Sequence, residues 1–100
     1  MQIPFDAAGK RIYINCMDIE FDPAKDAANI AKHGVSLASA ADLEILSIVA
    51  DDRFAGEQRY RIYGSLAGVP HCLAAVLRNG VVRAISFRRA HEKEYRRHVE

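Results

Sequence analysis

The dipeptide Asn79-Gly80 stands between two apolar runs, "HCLAAVLR" and "VVRAISF". Both residues tolerate the positive φ that a two-residue hairpin turn demands, and this pair between apolar strands is the strongest short-range hairpin signal. It commits the second half of the chain to antiparallel strands. A third β-rich run, "YRIYGSL", comes earlier and is joined on by a turn within Gly64 to Pro70. "SIVADD" offers another strand before Arg53, and the chain closes on "RRAHEKEYRRHVE", a charged helix.

Upstream of Arg53 the pattern is helical, after one short strand candidate, "IEF". Asp22 is suited to cap a helix and Pro23 to occupy its first position. The spacing predicts a helix from about Pro23 to His33. Ala24, Ala27, Ala28 and Ala31 give it one small apolar face, with Ile30 beside it, while Lys25, Asn29 and Lys32 form a polar stripe. Gly34 ends it, and Ser36 caps a second helix over about Leu37 to Leu46. His33 falls in the last turn, where the helix dipole favours a cation and raises a histidine's pKa. The expected fold is α+β: a helix pair, a small antiparallel meander and a C-terminal helix. Residues 17–100 form one domain. Residues 1–16, with the alternating "KRIYINC", are either an N-terminal extension or an extra edge strand, and Met17 is a second plausible start.

A chain of 100 residues, half of them apolar, supports one core without staples. No apolar run approaches the roughly 18 residues of a membrane span. The N-terminus lacks the long apolar segment of a secretory signal. Cys16 and Cys72 do not make a disulfide framework. The expected compartment is therefore the cytoplasm, with no membrane partner. The formal charge of +1 hides an asymmetry. Residues 1–52 carry four Lys/Arg against nine Asp/Glu; residues 53–100 carry ten against four, and nine of those ten are arginine. Arginine's planar fork suits phosphate, so the second half is a candidate for binding an anion; alternatively the two halves neutralise each other in the fold.

The common catalytic motifs are missing from the sequence. Among His33, His71, His91 and His98 there is no HxxxH pair, and no CxxC is present, so neither a metal nor another cofactor is expected. There is no Walker-type loop, no GxGxxG and no GxSxG. Cys72, inside an apolar strand, reads as inert core. In "EQRYRIY", alternation puts Glu57, Arg59, Arg61 and Tyr63 on one face. That face is either the solvent side of a sheet or a platform with an acid, two phosphate binders and an aromatic for base stacking. In "VVRAISFRRA", alternation groups Arg83 with Val81, Ile85 and Phe87, and Arg88 with Ala84 and Ser86. An arginine on an apolar face needs a carboxylate or a ligand phosphate. Together these residues suit metal-free RNA cleavage. His33 or Glu57 would handle protons, and Lys32, Arg59, Arg83 and Arg88 would hold charge.

Three blocks of the chain resemble a known family. "FDPAKDAANIAKHGVSLASAA", "DDRFAGEQRYRIYG" and "RAISFRRAHEKEY" look like the successive motifs of the BrnT-type toxins (DUF497 family), over roughly residues 17–98. The resemblance implies a RelE-like ribonuclease toxin of a type II toxin–antitoxin pair that cleaves RNA and blocks translation. It implies neutralisation by a cognate antitoxin, usually of ribbon-helix-helix type, with DNA contacted only through that antitoxin. Its motifs fall on Lys25, Asn29, Lys32, His33, Gly34, Glu57, Arg59, Arg83, Ser86, Arg88 and Glu94. Of these, Lys32, His33, Glu57, Arg59, Arg83 and Arg88 are the candidates for chemistry and Lys25 for binding RNA; Arg61 and Tyr63, from the strand face read above, are the other candidates for binding RNA. Asn29 is expected to brace the helix against the sheet, and Glu94 to pair with Arg97 or His98 along the last helix. The alternative is a catalytically degenerate relative that only docks an antitoxin or nucleic acid. The chain departs from the family pattern at Phe21, Phe87 and Tyr95 and in residues 1–16.

Overall fold

The computed structural model of the protein describes residues 19–53, 56–78 and 80–99. Five strands form one sheet in the order β1-β5-β4-β3-β2. They are β1 (Ile19–Glu20), β2 (Glu44–Asp51), β3 (Arg59–Leu66), β4 (Val69–Arg78) and β5 (Val81–Arg89). The last four form the expected antiparallel meander, whereas β1 lies parallel to β5, so the sheet is mixed. Helix α1 (Pro23–His33) follows β1, and α2 (Glu92–Val99) ends the described chain. The expectation for residues 1–16 lies outside the described residues. So does Asn79 of the predicted turn, but Gly80 has φ +80°.

Helix α1 starts and stops as its residues dictate. Asp22 accepts a hydrogen bond from the Ala24 amide at 2.8 Å. Gly34, at φ +74°, closes the helix with its N–H on the Ile30 carbonyl. Ser36 then caps the next segment, donating to Asp26 at 2.9 Å while accepting from the Ala38 amide at 3.1 Å. That segment is a 3-10 helix, Leu37–Asp42, and not a second α-helix reaching Leu46. The apolar residues after Leu43 alternate into β2, where Ile45 is buried against the core.

Leu37, Leu43, Ile45, Ile62, Leu73, Val82 and Phe87 are fully or almost fully buried on one face of the sheet under this 3-10 segment. Each such side chain contributes roughly 1.5–3 kcal/mol. Gly64 is required in β3 because a Cβ there would stand 2.1 Å from the Glu44 carbonyl oxygen of β2.

The expected apolar face of α1 does not meet the sheet. Ala24, Ala27, Ala28 and Ala31 are exposed, and Asn29 is the residue buried. What the helix covers is the open backbone edge of β5 beyond its short pairing with β1. An alanine offers that edge no hydrogen bond. Asn29 does: its Nδ2 donates to the carbonyls of Phe87 and Val35, both at 2.8 Å, and its Oδ1 accepts from the Phe87 amide at 3.0 Å. The side chain acts as a short substitute strand and braces the helix as anticipated.

One irregularity in β5 matters for function. Ala75 pairs with Ala84, but Ala74 pairs with Ser86, leaving Ile85 as the extra residue of a bulge. Across the sheet, Val76, Ala74 and Cys72 of β4 oppose Arg83, Ser86 and Arg88. These three therefore share the face away from the core. The simple alternation that separated Arg83 from Arg88 is corrected by the bulge.

Candidate active site

The face away from the core is built in cross-strand rows. Asp51, Arg59, Val76 and Arg83 form the first; Val49, Arg61, Ala74 and Ser86 the second; Ser47, Tyr63, Cys72 and Arg88 the third. Helix α2 leans on the third row: His98 stacks on Tyr63 with ring centroids 5.0 Å apart. The small residues Ala74 and Ser86 leave a hollow in the middle.

Two cavities open around β5. The first, about 360 Å³, lies between α1 and the strand, lined by Lys25, Asn29, Lys32 and His33 from the helix and by Ile85, Ser86 and Arg88 from β5. The second, about 210 Å³, lies on the sheet face among Asp51, Arg53, Arg59, Arg61, Cys72 and the same three β5 residues. The sequence candidates Lys25, Lys32, His33 and Arg88 thus meet in one cavity, and Arg59 and Arg61 meet Arg88 in the other.

Three candidates sit elsewhere. Glu57 precedes β3 and accepts two hydrogen bonds from Arg78, at 2.5 and 2.6 Å, outside both cavities. That contact holds its carboxyl below the usual range, so it is charged at neutral pH and has no proton to give. Arg83 pairs with Glu20 at 3.2 Å and lines neither cavity. Tyr63 is fully buried beneath α2 and cannot stack on a base. Its hydroxyl accepts from Arg61 Nη1 and donates to Glu94 Oε2, both at 3.1 Å. Burial pushes its phenol well above the ordinary value.

Glu94 was expected to pair along its own helix. Instead it reaches the sheet and accepts from Arg88 Nη1 at 2.5 Å and Nη2 at 3.3 Å, and from the His91 amide at 2.9 Å. The cause is distance: α2 crosses β3 close enough for its first turn to face Arg88, a contact that no periodicity within the helix discloses. Arg83 and Arg88 both have carboxylate partners, although the bulge places them on the face away from the core and not on an apolar one.

Asp51 is the residue that the sequence did not single out. It is 6 % exposed and accepts from Arg53 Nε at 2.8 Å and Nη2 at 2.7 Å. Its only sequence signal is the Asp-x-Arg spacing with Arg53, two residues on. The Arg53 hydrogen bonds prevail over the opposing effect of burial and hold the carboxyl at about 2. Burial alone would raise Glu94, but hydrogen bonds from Arg88, the His91 amide and Tyr63 pull it to about 2.

Because both carboxylates have depressed pKa values in the fold, the unfolded chain binds protons first as pH falls. Their stabilisation is complete above roughly pH 5 and is lost progressively towards pH 2. Urea unfolding should therefore show a midpoint that declines between pH 5 and pH 2. Glu94→Gln should flatten this decline, by on the order of 1 kcal/mol.

His33 is displaced in the opposite sense from the helix-dipole expectation. Its partial burial, then the charges of Lys32 and Arg88, lower its pKa below 6.5. At neutral pH the imidazole is a neutral proton acceptor flanked by two cations. Among the described residues no group of three or more His, Cys, Asp and Glu could hold a metal ion, and the first cavity contains no carboxylate. No described helix is long and apolar enough to cross a membrane.

Comparison with known proteins shows the family of the chain. Residues 21–94 match the family model described as ribonuclease toxin, BrnT, of type II toxin-antitoxin system. The 1.1 Å crystal structure of the Brucella abortus ribonuclease toxin, BrnT, is similar with a TM-score of 0.58 and 28% identity, over 76% of this chain and 99% of that one. No curated protein matches the chain.

Proposed function

The chain belongs to the BrnT family of ribonuclease toxins of type II toxin–antitoxin systems, and from that premise we propose that it cuts RNA without a metal, in the cavity between α1 and β5. The observation that carries the reading is the meeting of His33, Lys32 and Arg88 around one cavity, with the imidazole kept neutral by its partial burial and then by its cationic neighbours. A neutral imidazole takes the proton from the ribose 2′-hydroxyl. The 2′-oxygen attacks phosphorus and the bond to the 5′-oxygen breaks. A 2′,3′-cyclic phosphate forms, and the leaving oxygen is protonated from the imidazolium or water. Lys32 and Arg88 stabilise the charge that gathers on the phosphate oxygens. Lys25 steers the backbone from the rim. A cavity lined by cations and no carboxylate supports a mechanism without a divalent ion.

Cleavage of this kind blocks translation, and a cognate antitoxin of ribbon-helix-helix type holds the toxin inactive, with DNA reached only through it. The basic second half of the chain suits acidic or amphipathic antitoxin segments. A docking module without activity would need the basic face but no proton acceptor between two cations, so His33 favours the enzyme.

Antitoxin-free protein is expected to cut a defined RNA in EDTA. The acidic limb of its pH–rate profile should have a midpoint below the ordinary histidine value of 6.5. Lys32→Gln should shift that midpoint upward by removing one of the charges that depress it. No cutting by wild type, or a limb that stays put in His33→Ala, would refute the assignment.

A further inference from the structure

Ile85, Ser86 and Arg88 belong to the walls of both cavities, so the second hollow begins where the first ends. We propose that this second cavity is a phosphate subsite: it holds the phosphate next to the one being cut, and the RNA strand crosses β5 at Arg88. The inference rests on the catalytic reading of the first cavity and extends it to the smallest ligand that fills the groove.

The charge of the second cavity argues for an anion. Among the described residues, four guanidinium groups, of Arg53, Arg59, Arg61 and Arg88, surround one carboxylate in the cavity, Asp51, and a second carboxylate, Glu94, holds Arg88 from behind. The neighbouring Cys72 adds no negative charge, because burial keeps its thiol protonated. Asp51 takes two hydrogen bonds from the Arg53 side chain and lies 3.9 Å from Arg61 Nε. It thereby fixes two of the cations without neutralising the group. Arg61 is held from its other end by the Tyr63 hydroxyl, and its Nε is shielded from water with no hydrogen-bond partner. Arg61 Nε is therefore short of an acceptor, and a planar fork is the donor geometry that phosphate matches. The floor, at Ala74 and Ser86, is made of small side chains that leave room for a tetrahedral group.

The test is binding, kept separate from cleavage. Three uncleavable ligands are used: a 2′-deoxy dinucleoside monophosphate, and the same molecule with a 5′-phosphate or a 3′-phosphate. Each competes with a labelled 2′-deoxy oligonucleotide at low salt. One of the two terminal phosphates, and not the other, should raise affinity about tenfold, as expected of charge-assisted hydrogen bonds. In Arg53→Gln and in Arg59→Gln that gain should shrink to less than about threefold, whatever happens to the plain ligand. Lys32→Gln should lower all three affinities and preserve the gain. Equal gains from both phosphates, a gain that survives both arginine variants, or no binding at all would overturn the subsite. RNA cleavage by wild type is scored independently. A phosphate gain without cleavage would sink the catalytic reading alone, and cleavage without the gain would sink the subsite alone.

Discussion

Arg88→Ala is expected to lower the rate of RNA cleavage by about 100- to 1000-fold, the usual loss when a preorganised donor to a developing oxyanion is removed. The arginine stands on a rigid strand, and its guanidinium is fixed by two contacts to Glu94. Those contacts occupy one edge of the fork, so remaining donors can be turned to a phosphate without any search through rotamers. Arg88→Lys keeps the charge but loses the planar fork, and should recover only part of the rate. Glu94 would be left partly buried without its partner in the alanine variant, so thermal stability falls as well. The double variant Arg88→Ala, Glu94→Gln separates the two effects: it should regain stability and remain inactive. Single-turnover cleavage and a melting curve measure both. A loss of less than threefold in Arg88→Ala would remove this residue from the chemistry.

The second large effect is on the helix clamp. Asn29→Ala deletes three hydrogen bonds, two of them to the buried backbone of Phe87. A buried group left without a partner costs about 1–3 kcal/mol, so the variant should be about 3 kcal/mol less stable. For a domain of this size, that lowers the melting temperature by at least about 10 °C. Asn29→Asp should fare no better, since it keeps the acceptor but aims a charged oxygen at two carbonyls. Cleavage should also fall at temperatures where the variant is still folded, because α1 carries Lys32 and His33 to the cavity. A melting temperature within 3 °C of wild type would show that the clamp is dispensable.

The sequence disclosed the elements more fully than their contacts. Asp22, Pro23 and Gly34 bound α1 correctly because capping is a local matter of a few backbone groups. The meander was legible in alternation and turn chemistry. The alanine stripe misled because periodicity reports which residues share a helix face, not whether the opposite surface wants apolar contact or hydrogen bonds. Here it wanted a primary amide. The Lys32–His33 corner and the arginines could be named from their motifs. Their grouping into two cavities depends on α1 crossing the edge of β5, a long-range arrangement. Glu57 and Tyr63 were drawn in by strand alternation. Glu57 lies before the strand begins and is taken by Arg78, while Tyr63 is roofed by a helix whose Glu94 is 31 residues downstream. Asp51 escaped notice because one of two adjacent acids at a strand end resembles any solvated turn residue until its burial is seen.

The extra residue in β5 makes spacing itself a functional quantity. Five steps separate Arg83 from Arg88, an odd number, which in a regular strand would turn the two outward on opposite sides. Ile85 absorbs one step, and both arginines, with Ser86, address the same surface. A relative with one residue fewer between them needs no bulge, because four steps already turn both arginines to one side; one with this five-step spacing and a regular strand would have every key side chain in its sequence and no common site in its fold. When chains of this family are aligned, a one-residue gap at this point of the strand therefore marks a bulge lost and not a site lost, and it is the pairing of spacing with bulge that tells whether the constellation can exist.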